Sequence, residues 1–209
     1  MGYYPVFLEM KDRRCVVIGG GAVAERRVEG LLAVGANVTV ISPAITERLR
    51  NMLTQGAIRH VAREYRTGDR AGYDLVFVAT DNSEINAAVA AEAPSLRIWV
   101  NSADDPDHCD FILPAVIRRG DLTVAVSSGG VSPAATRAIR EELDEYFTGD
   151  YARFVQIAGE ARRELRKRSV SPSADAWNRA MGGDFRRLIK EGKPLQAKEL
   201  LLEKLGMKP

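Results

Sequence analysis

Three short stretches of this sequence gather residue types that can do chemistry. In Gly19-Gly20-Gly21-Ala22-Val23-Ala24, Gly19 permits a tight turn and Gly21 lets the main chain approach a pyrophosphate. Ala24 stands where the third glycine of a dinucleotide motif meets the strand. Asp104-Asp105-Pro106-Asp107-His108-Cys109-Asp110 crowds carboxylates beside an imidazole and a thiol. Neighbouring carboxylates raise one another's pKa, which suits a general base or proton acceptor. Ser127-Ser128-Gly129-Gly130-Val131-Ser132-Pro133 offers hydroxyls, successive backbone N–H groups and a helix start, with Ser132 suited to N-cap and Pro133 to the first helical position. Such a loop is a receptor for carboxylates, and Arg137, one turn further on, adds a cation.

Each stretch also has a plainer reading. Asp and Pro are common turn formers, so the acidic loop can be a solvated turn, and the serine-glycine loop can be a cap and turn only. His108, Cys109 and an aspartate lie too close in sequence to converge on one ion, and the separated spacing of structural zinc sites is absent, so no dedicated metal site is expected.

The elements that must hold these loops follow from periodicity. Short apolar, β-branched runs at 15–19, 37–42, 57–61, 74–80 and 97–101 alternate with helical patterns at 22–34, 44–54 and 82–93. Strands apolar throughout belong to a parallel sheet covered on both faces, and the alternation implies right-handed crossovers. The expected fold is α/β, a Rossmann-like doubly wound sheet. Its ligand crevice lies outside the carboxyl ends of the strands, where Thr80 and Asn101 should face it; Asn82 or Ser83 serves equally well as a helix cap. After Asp110 two extended segments join through Arg118-Arg119-Gly120-Asp121, and a helix runs from about Pro133 to Tyr146. Helices then continue to the end, with a break at 169–173 and two further helical pieces. The reading is a Rossmann domain at 1–113, a small α/β segment at 114–147 and a helical region at 148–209.

The 209 residues, 45% hydrophobic and 28% charged, fit an ordinary globular protein with a substantial core. Net charge is +2, but residues 1–147 carry 16 Lys and Arg against 20 Asp and Glu, and residues 148–209 carry 14 against 8. The basic final third suits an anionic ligand or acidic surface, or is simply a solvated helix face. Two cysteines in unlike settings point to a reducing, cytoplasmic location. The start MGYYPVFLEMKDRR lacks a signal-peptide pattern, and no stretch of about 18 apolar residues occurs; neither secretion nor membrane insertion is expected.

Taken together, VIGGGAVAERR, the NSADDP loop, DFILPA and especially VAVSSGGVSPAATRAIRE resemble the precorrin-2 dehydrogenase / sirohydrochlorin ferrochelatase family, the N-terminal part of siroheme synthases. The resemblance runs from about Pro5 to Leu165 and implies NAD-dependent oxidation of precorrin-2 to sirohydrochlorin. Some members also insert ferrous iron, and that second activity stays open. The resemblance further implies an intertwined homodimer, with 114–147 as the dimerisation and substrate segment. Carried over by position, the key aspartate is Asp104, with Asp105 beside it as a competing carboxylate. The substrate-facing serines are Ser127 and Ser128, with Gly129 and Arg137 completing the anion receptor. Nucleotide contacts fall on Ala22, Val23, Ser42 and Pro43. The acidic ribose ligand expected about twenty residues after the glycines is replaced by Ile41-Ser42-Pro43, so NAD rests on the resemblance. The chain ends at Pro209, and the methyltransferase half of the fused enzymes is expected to be absent.

Two other classes compete. An NAD-responsive module binding nucleic acid through its basic final third would need a helix-turn-helix or interleaved aromatic and basic residues, neither of which is evident; no nucleic-acid partner is expected. A dehydrogenase of a smaller substrate would leave the serine-glycine loop and Arg137 without a polycarboxylate to hold.

Overall fold

The computed structural model describes residues 2–80, 82–91, 98–103 and 109–207. The chain forms two compact units, Met1–Ile112 and Leu113–Pro209.

In the first unit β1 (Arg14–Ile18), α1 (Ala22–Leu32), β2 (Asn37–Ile41), α2 (Glu47–Thr54) and β3 (Ile58–Val61) alternate, β4 (Leu75–Val78) follows β3 with no helix between, and α3 (Ser83–Ala91) leads to β5 (Trp99–Ser102). The strands are parallel in the order β3-β2-β1-β4-β5. Successive residues of a strand point to opposite faces, which explains the unbroken CVVI run: Cys15 and Val17 pack with Ala24, Val28 and Leu31 of α1, whereas Val16 and Ile18 pack with Val76, Val89 and Val100 on the other face. Buried Cys15 has its thiol pushed up to about 11, chiefly by burial and further by the charge of Asp74, so it is a packing residue. The order reverses between β1 and β4, which places the switch-point crevice outside their carboxyl ends.

Element boundaries differ from expectation where side chains intervene. The helix expected from residue 44 begins at Glu47 because the Thr46 hydroxyl accepts the N–H of Leu49 at 3.2 Å, fixing the N-cap there. The strand expected through Thr80 ends at Val78.

In the second unit, β6 (Ala115–Arg119) and β7 (Leu122–Val126) form an antiparallel hairpin that turns at Gly120, φ +56°. Helix α4 (Pro133–Tyr146) follows, held to the hairpin by Arg119, which donates to the Phe147 carbonyl at 2.6 Å and to the Asp144 carboxylate at 2.9 Å. Helices α5 (Asp150–Lys167), α6 (Ala174–Ala180), α7 (Gly183–Lys190) and α8 (Pro194–Lys204) enclose Leu165, Phe185, Ile189 and Leu201. The first of the two helical pieces expected after the break is thus two helices, separated by the extended backbone of Gly182. Part of the basic excess is internally paired, as Lys198 bridges Glu160 at 3.2 Å and Glu164 at 2.6 Å. Among the described residues no helix is long and apolar enough to cross a membrane.

Candidate active site

The glycine turn leaves β1 at the switch point, with the Gly19 N–H donating to the Ile41 carbonyl at 2.9 Å. Gly19 has φ +118°, and a Cβ there would overlap the carbonyl oxygen of Ala79. No other residue fits beside the end of β4. At Gly20 a Cβ would overlap the Ala44 carbonyl and lie 2.8 Å from the Ser42 hydroxyl. A Cβ on Gly21 would meet nothing within 4 Å. Gly21 is the N-cap of α1 and supplies no side-chain cap. The first intrahelical bond reaches it from Glu25 at 3.0 Å, so the amides of Ala22, Val23 and Ala24 have no partner within the helix. Ala22 is exposed and Val23 half-buried, so the positive end of the helix dipole is accessible at its first residues. This open, side-chain-free cradle fits a dinucleotide diphosphate.

The loop after β2 is docked onto that turn. Thr46 N–H donates to the Gly20 carbonyl at 3.0 Å, and the Thr46 hydroxyl donates to the Glu25 carboxylate at 2.7 Å. Ser42 is 8% exposed, and its hydroxyl is turned inward onto the Ala44 carbonyl at 2.7 Å. Pro43 and Ala44 are the exposed residues of the loop. Ser42 therefore builds the loop's floor, while Pro43 is its accessible surface. Sequence reasoning missed Gly20, Glu25 and Thr46. The available signal was Thr46-Glu47 opening a helical pattern, a capping arrangement.

At the far edge, β3 ends beside β2: Ser42 N–H donates to the Val61 carbonyl at 3.2 Å and His60 Nε2 lies 2.9 Å from the Ser42 carbonyl. Two residues on, Arg63 forms a bidentate pair with Asp69, Nη1 to Oδ2 at 2.6 Å and Nη2 to Oδ1 at 2.8 Å. The Arg63 guanidinium holds the Asp69 carboxyl below the usual carboxylate range.

Thr80 is half-buried, and its hydroxyl accepts the Asn82 N–H at 3.2 Å. Asn82 caps α3, its carbonyl oxygen accepting from Glu84 at 2.9 Å and Ile85 at 3.2 Å, so capping is its role here. Asn101, 6% exposed, donates to the Phe111 carbonyl at 2.9 Å. It anchors the chain returning from the acidic loop. Asp110 closes the same return, its carboxylate accepting the Val100 N–H at 2.8 Å and its own N–H donating to the Val100 carbonyl at 2.9 Å. The Cys109 sulfur accepts the Ser102 N–H at 3.1 Å. Both ends of the loop are thus fixed to β5, while Asp104 and Asp105 themselves lie outside the described residues.

In the second unit the serine-glycine loop joins β7 to α4. Gly129 and Gly130 have φ +64° and +87°, a left-handed pair that L side chains rarely adopt. The Ser128 hydroxyl accepts the Ser132 N–H at 3.0 Å and the Thr136 hydroxyl at 2.9 Å. It therefore braces the loop. Ser127 is exposed, and its hydroxyl accepts the Gly129 N–H at 3.1 Å, which leaves its proton available. Ser132 caps α4 by accepting the Ala135 N–H at 3.2 Å. Arg137 is exposed one turn into that helix. No residue of α4 is buried, and Ile139 and Tyr146 stand exposed on it.

The β3-β2-β1-β4-β5 order and the glycine turn at its switch point define a dinucleotide-binding protein of the doubly wound class. The family model for putative NAD(P)-binding proteins matches residues 6–115, and that for the central part of sirohaem biosynthesis proteins matches residues 119–146. Siroheme synthase of Nitrosomonas europaea is 38% identical over 208 residues, covering 98% of this chain and 44% of that protein. Siroheme synthase of Methylobacillus flagellatus is 40% identical over 164 residues, 78% of this chain and 35% of that protein. The chain thus spans less than half the length of these relatives. The solved structure of SirC, precorrin-2 dehydrogenase, matches with a TM-score of 0.76 at 26% identity, covering 97% of this chain and 98% of that one. The chain belongs to the family of putative NAD(P)-binding proteins, whose model covers just over half of it, and it is similar over nearly its whole length to the solved precorrin-2 dehydrogenase and to part of the siroheme synthases.

Proposed function

We propose that this protein oxidises precorrin-2 to sirohydrochlorin, with NAD as hydride acceptor. The observation that carries the reading is the match along 97% of the chain to a solved precorrin-2 dehydrogenase. The side-chain-free cradle at Gly21 supports it, since a diphosphate needs that open approach.

The reaction removes a hydride and a proton from the tetrapyrrole. When bound, NAD supplies the acceptor for the hydride. Gly19, Gly21, Ala22 and Val23 hold its diphosphate, and Pro43 lines the ribose side. Ser42, Thr80 and Asn101 act from behind, fixing the turns against which the nucleotide lies. Asp104 accepts the proton or orients the ring, with Asp105 as its competitor. Asn101 and Asp110 tie the chain that returns from that loop to β5. Ser127, the N–H groups around Gly129 and Arg137 receive substrate carboxylates, and Ser128 keeps that receptor in shape.

The protein works as a homodimer through the segment 114–147, with 1–113 as the nucleotide domain and 148–209 as a helical support. The lack of any fully buried residue in α4, with Ile139 and Tyr146 exposed, supports a covering partner copy. A cytoplasmic location suits the chemistry. Ferrous iron is a candidate second substrate, with Asp104 taking pyrrole protons as the metal enters.

Asp104→Asn tests the role of the carboxylate: dehydrogenation falls by about a hundredfold or more, in the range expected for lost acid–base catalysis, while NAD affinity holds. Full retention of dehydrogenation and of iron insertion in Asp104→Ala would remove Asp104 from the mechanism.

A further inference from the structure

In doubly wound folds the ribose that distinguishes NAD from NADP lies at the end of the second strand; an acidic residue there reads the 2′-hydroxyl, and a nearby arginine accommodates the 2′-phosphate. This chain has no acidic residue at that point, where Ile41-Ser42-Pro43 stands. It does have an arginine at the neighbouring strand end. Val61 is the register partner of Ile41 and accepts the N–H groups of both Ser42 and Arg63, so β3 ends one strand spacing, ~4.8 Å, from the end of β2, and Arg63 follows two residues on.

Its guanidinium is already engaged. Nη1 and Nη2 donate to the two Asp69 carboxylate oxygens at 2.6 and 2.8 Å, and Nη1 also donates to the Glu64 carbonyl at 2.9 Å. Asp69 is itself fixed, accepting the Arg66 N–H at 2.8 Å, and the Asp69 side chain is only 16% exposed. A bidentate, charge-assisted fork of this kind is strong and geometrically specific. Arg48, the cation that the start of α2 brings to the same loop, is paired with Glu29 and lies 3.8 Å from Glu25.

Resting on the nucleotide reading above, we propose that the Arg63–Asp69 pair is a specificity device: Asp69 withholds Arg63 from a 2′-phosphate and so makes this site select NAD over NADP. Selection here comes from sequestering a cation. A 2′-phosphate entering the site gains no guanidinium and meets the inward-turned Ser42, whose proton is committed to the Ala44 carbonyl. The 2′-hydroxyl of NAD makes no such demand.

The test is equilibrium binding of NAD and NADP to the full chain and to Asp69→Asn, which removes the charge but keeps an acceptor for the Arg66 N–H. The wild type binds NAD more tightly than NADP. Asp69→Asn tightens NADP by about tenfold, roughly 1.4 kcal/mol, changes NAD by less than about twofold, and loses the gain when Arg63→Ala is added. An unchanged NADP affinity in a variant that melts as the wild type does overturns the proposal, as does a gain that survives the added Arg63→Ala. If Asp69→Asn does not fold, Arg63→Ala in the wild type decides: NADP affinity stays the same if Arg63 is withheld, and a fall overturns the idea. Failure of the nucleotide reading itself looks different, since the wild type would then bind neither nucleotide, and the proposal would fall with it.

Discussion

The backbone N–H of Thr46 donates to the carbonyl of Gly20 at 3.0 Å, so the loop after β2 is bonded directly to the turn after β1. The turn proposed to hold the diphosphate and the loop proposed to line the ribose are therefore held together as one unit, closed further by the Thr46–Glu25 hydrogen bond.

That arrangement separates two neighbouring glycines. Gly20→Ala drives a methyl group into the Ala44 carbonyl and should cost about 1–3 kcal/mol of stability, as overpacking does. Gly21→Ala places its methyl in open space at an ordinary φ of −85°, so stability should change by less than about 1 kcal/mol. NAD affinity should nevertheless fall in Gly21→Ala, because the methyl occupies the approach to the diphosphate. Urea denaturation and calorimetric titration separate the two effects. Equal stability losses in both variants would contradict the geometry.

The two adjacent serines should also part company. Ser128→Ala removes the acceptor of the Ser132 N–H and the Thr136 hydroxyl, costing about 1–3 kcal/mol. Ser127→Ala gives up only the Gly129 N–H contact at an exposed site and should leave stability within about 1 kcal/mol while raising KM for the tetrapyrrole. A Ser127 variant less stable than the Ser128 variant would reverse the assignment.

Much of the fold was legible because β1, β2 and β4 are buried on both faces, so the runs at 15–19, 37–42 and 74–80 are mostly apolar, and the glycine turn follows directly on the first of them. The site was legible in part. The loops that carry Ser127 and Ala22 could be found from local chemistry. The inward turn of Ser42 and the anchoring role of Asn101 could not, because each depends on a carbonyl, at Ala44 or Phe111, whose direction is set by the loop's own path. The Arg63–Asp69 pair was equally hidden, since nothing in sequence spacing says which way an arginine at a strand end turns.

Acid should weaken the Arg63–Asp69 pair in a defined direction. The folded pKa of Asp69 is depressed, first by the hydrogen bond from Arg63, so the pair's contribution is complete above the unfolded aspartate value of ~3.9. It is lost as pH falls through the lower folded value. The gap in unfolding free energy between wild type and Asp69→Asn should shrink on acidification across that window. Urea denaturation at a series of pH values checks it, and a gap that widens towards acid would contradict the assignment.

Anaerobic incubation of the protein with precorrin-2 and NAD, following NADH and the tetrapyrrole chromophore together, tests the proposed oxidation. NADH and sirohydrochlorin should form in equal amounts, with NADP a poor substitute. A protein that forms no reduced nucleotide and leaves precorrin-2 unchanged with either NAD or NADP would contradict it.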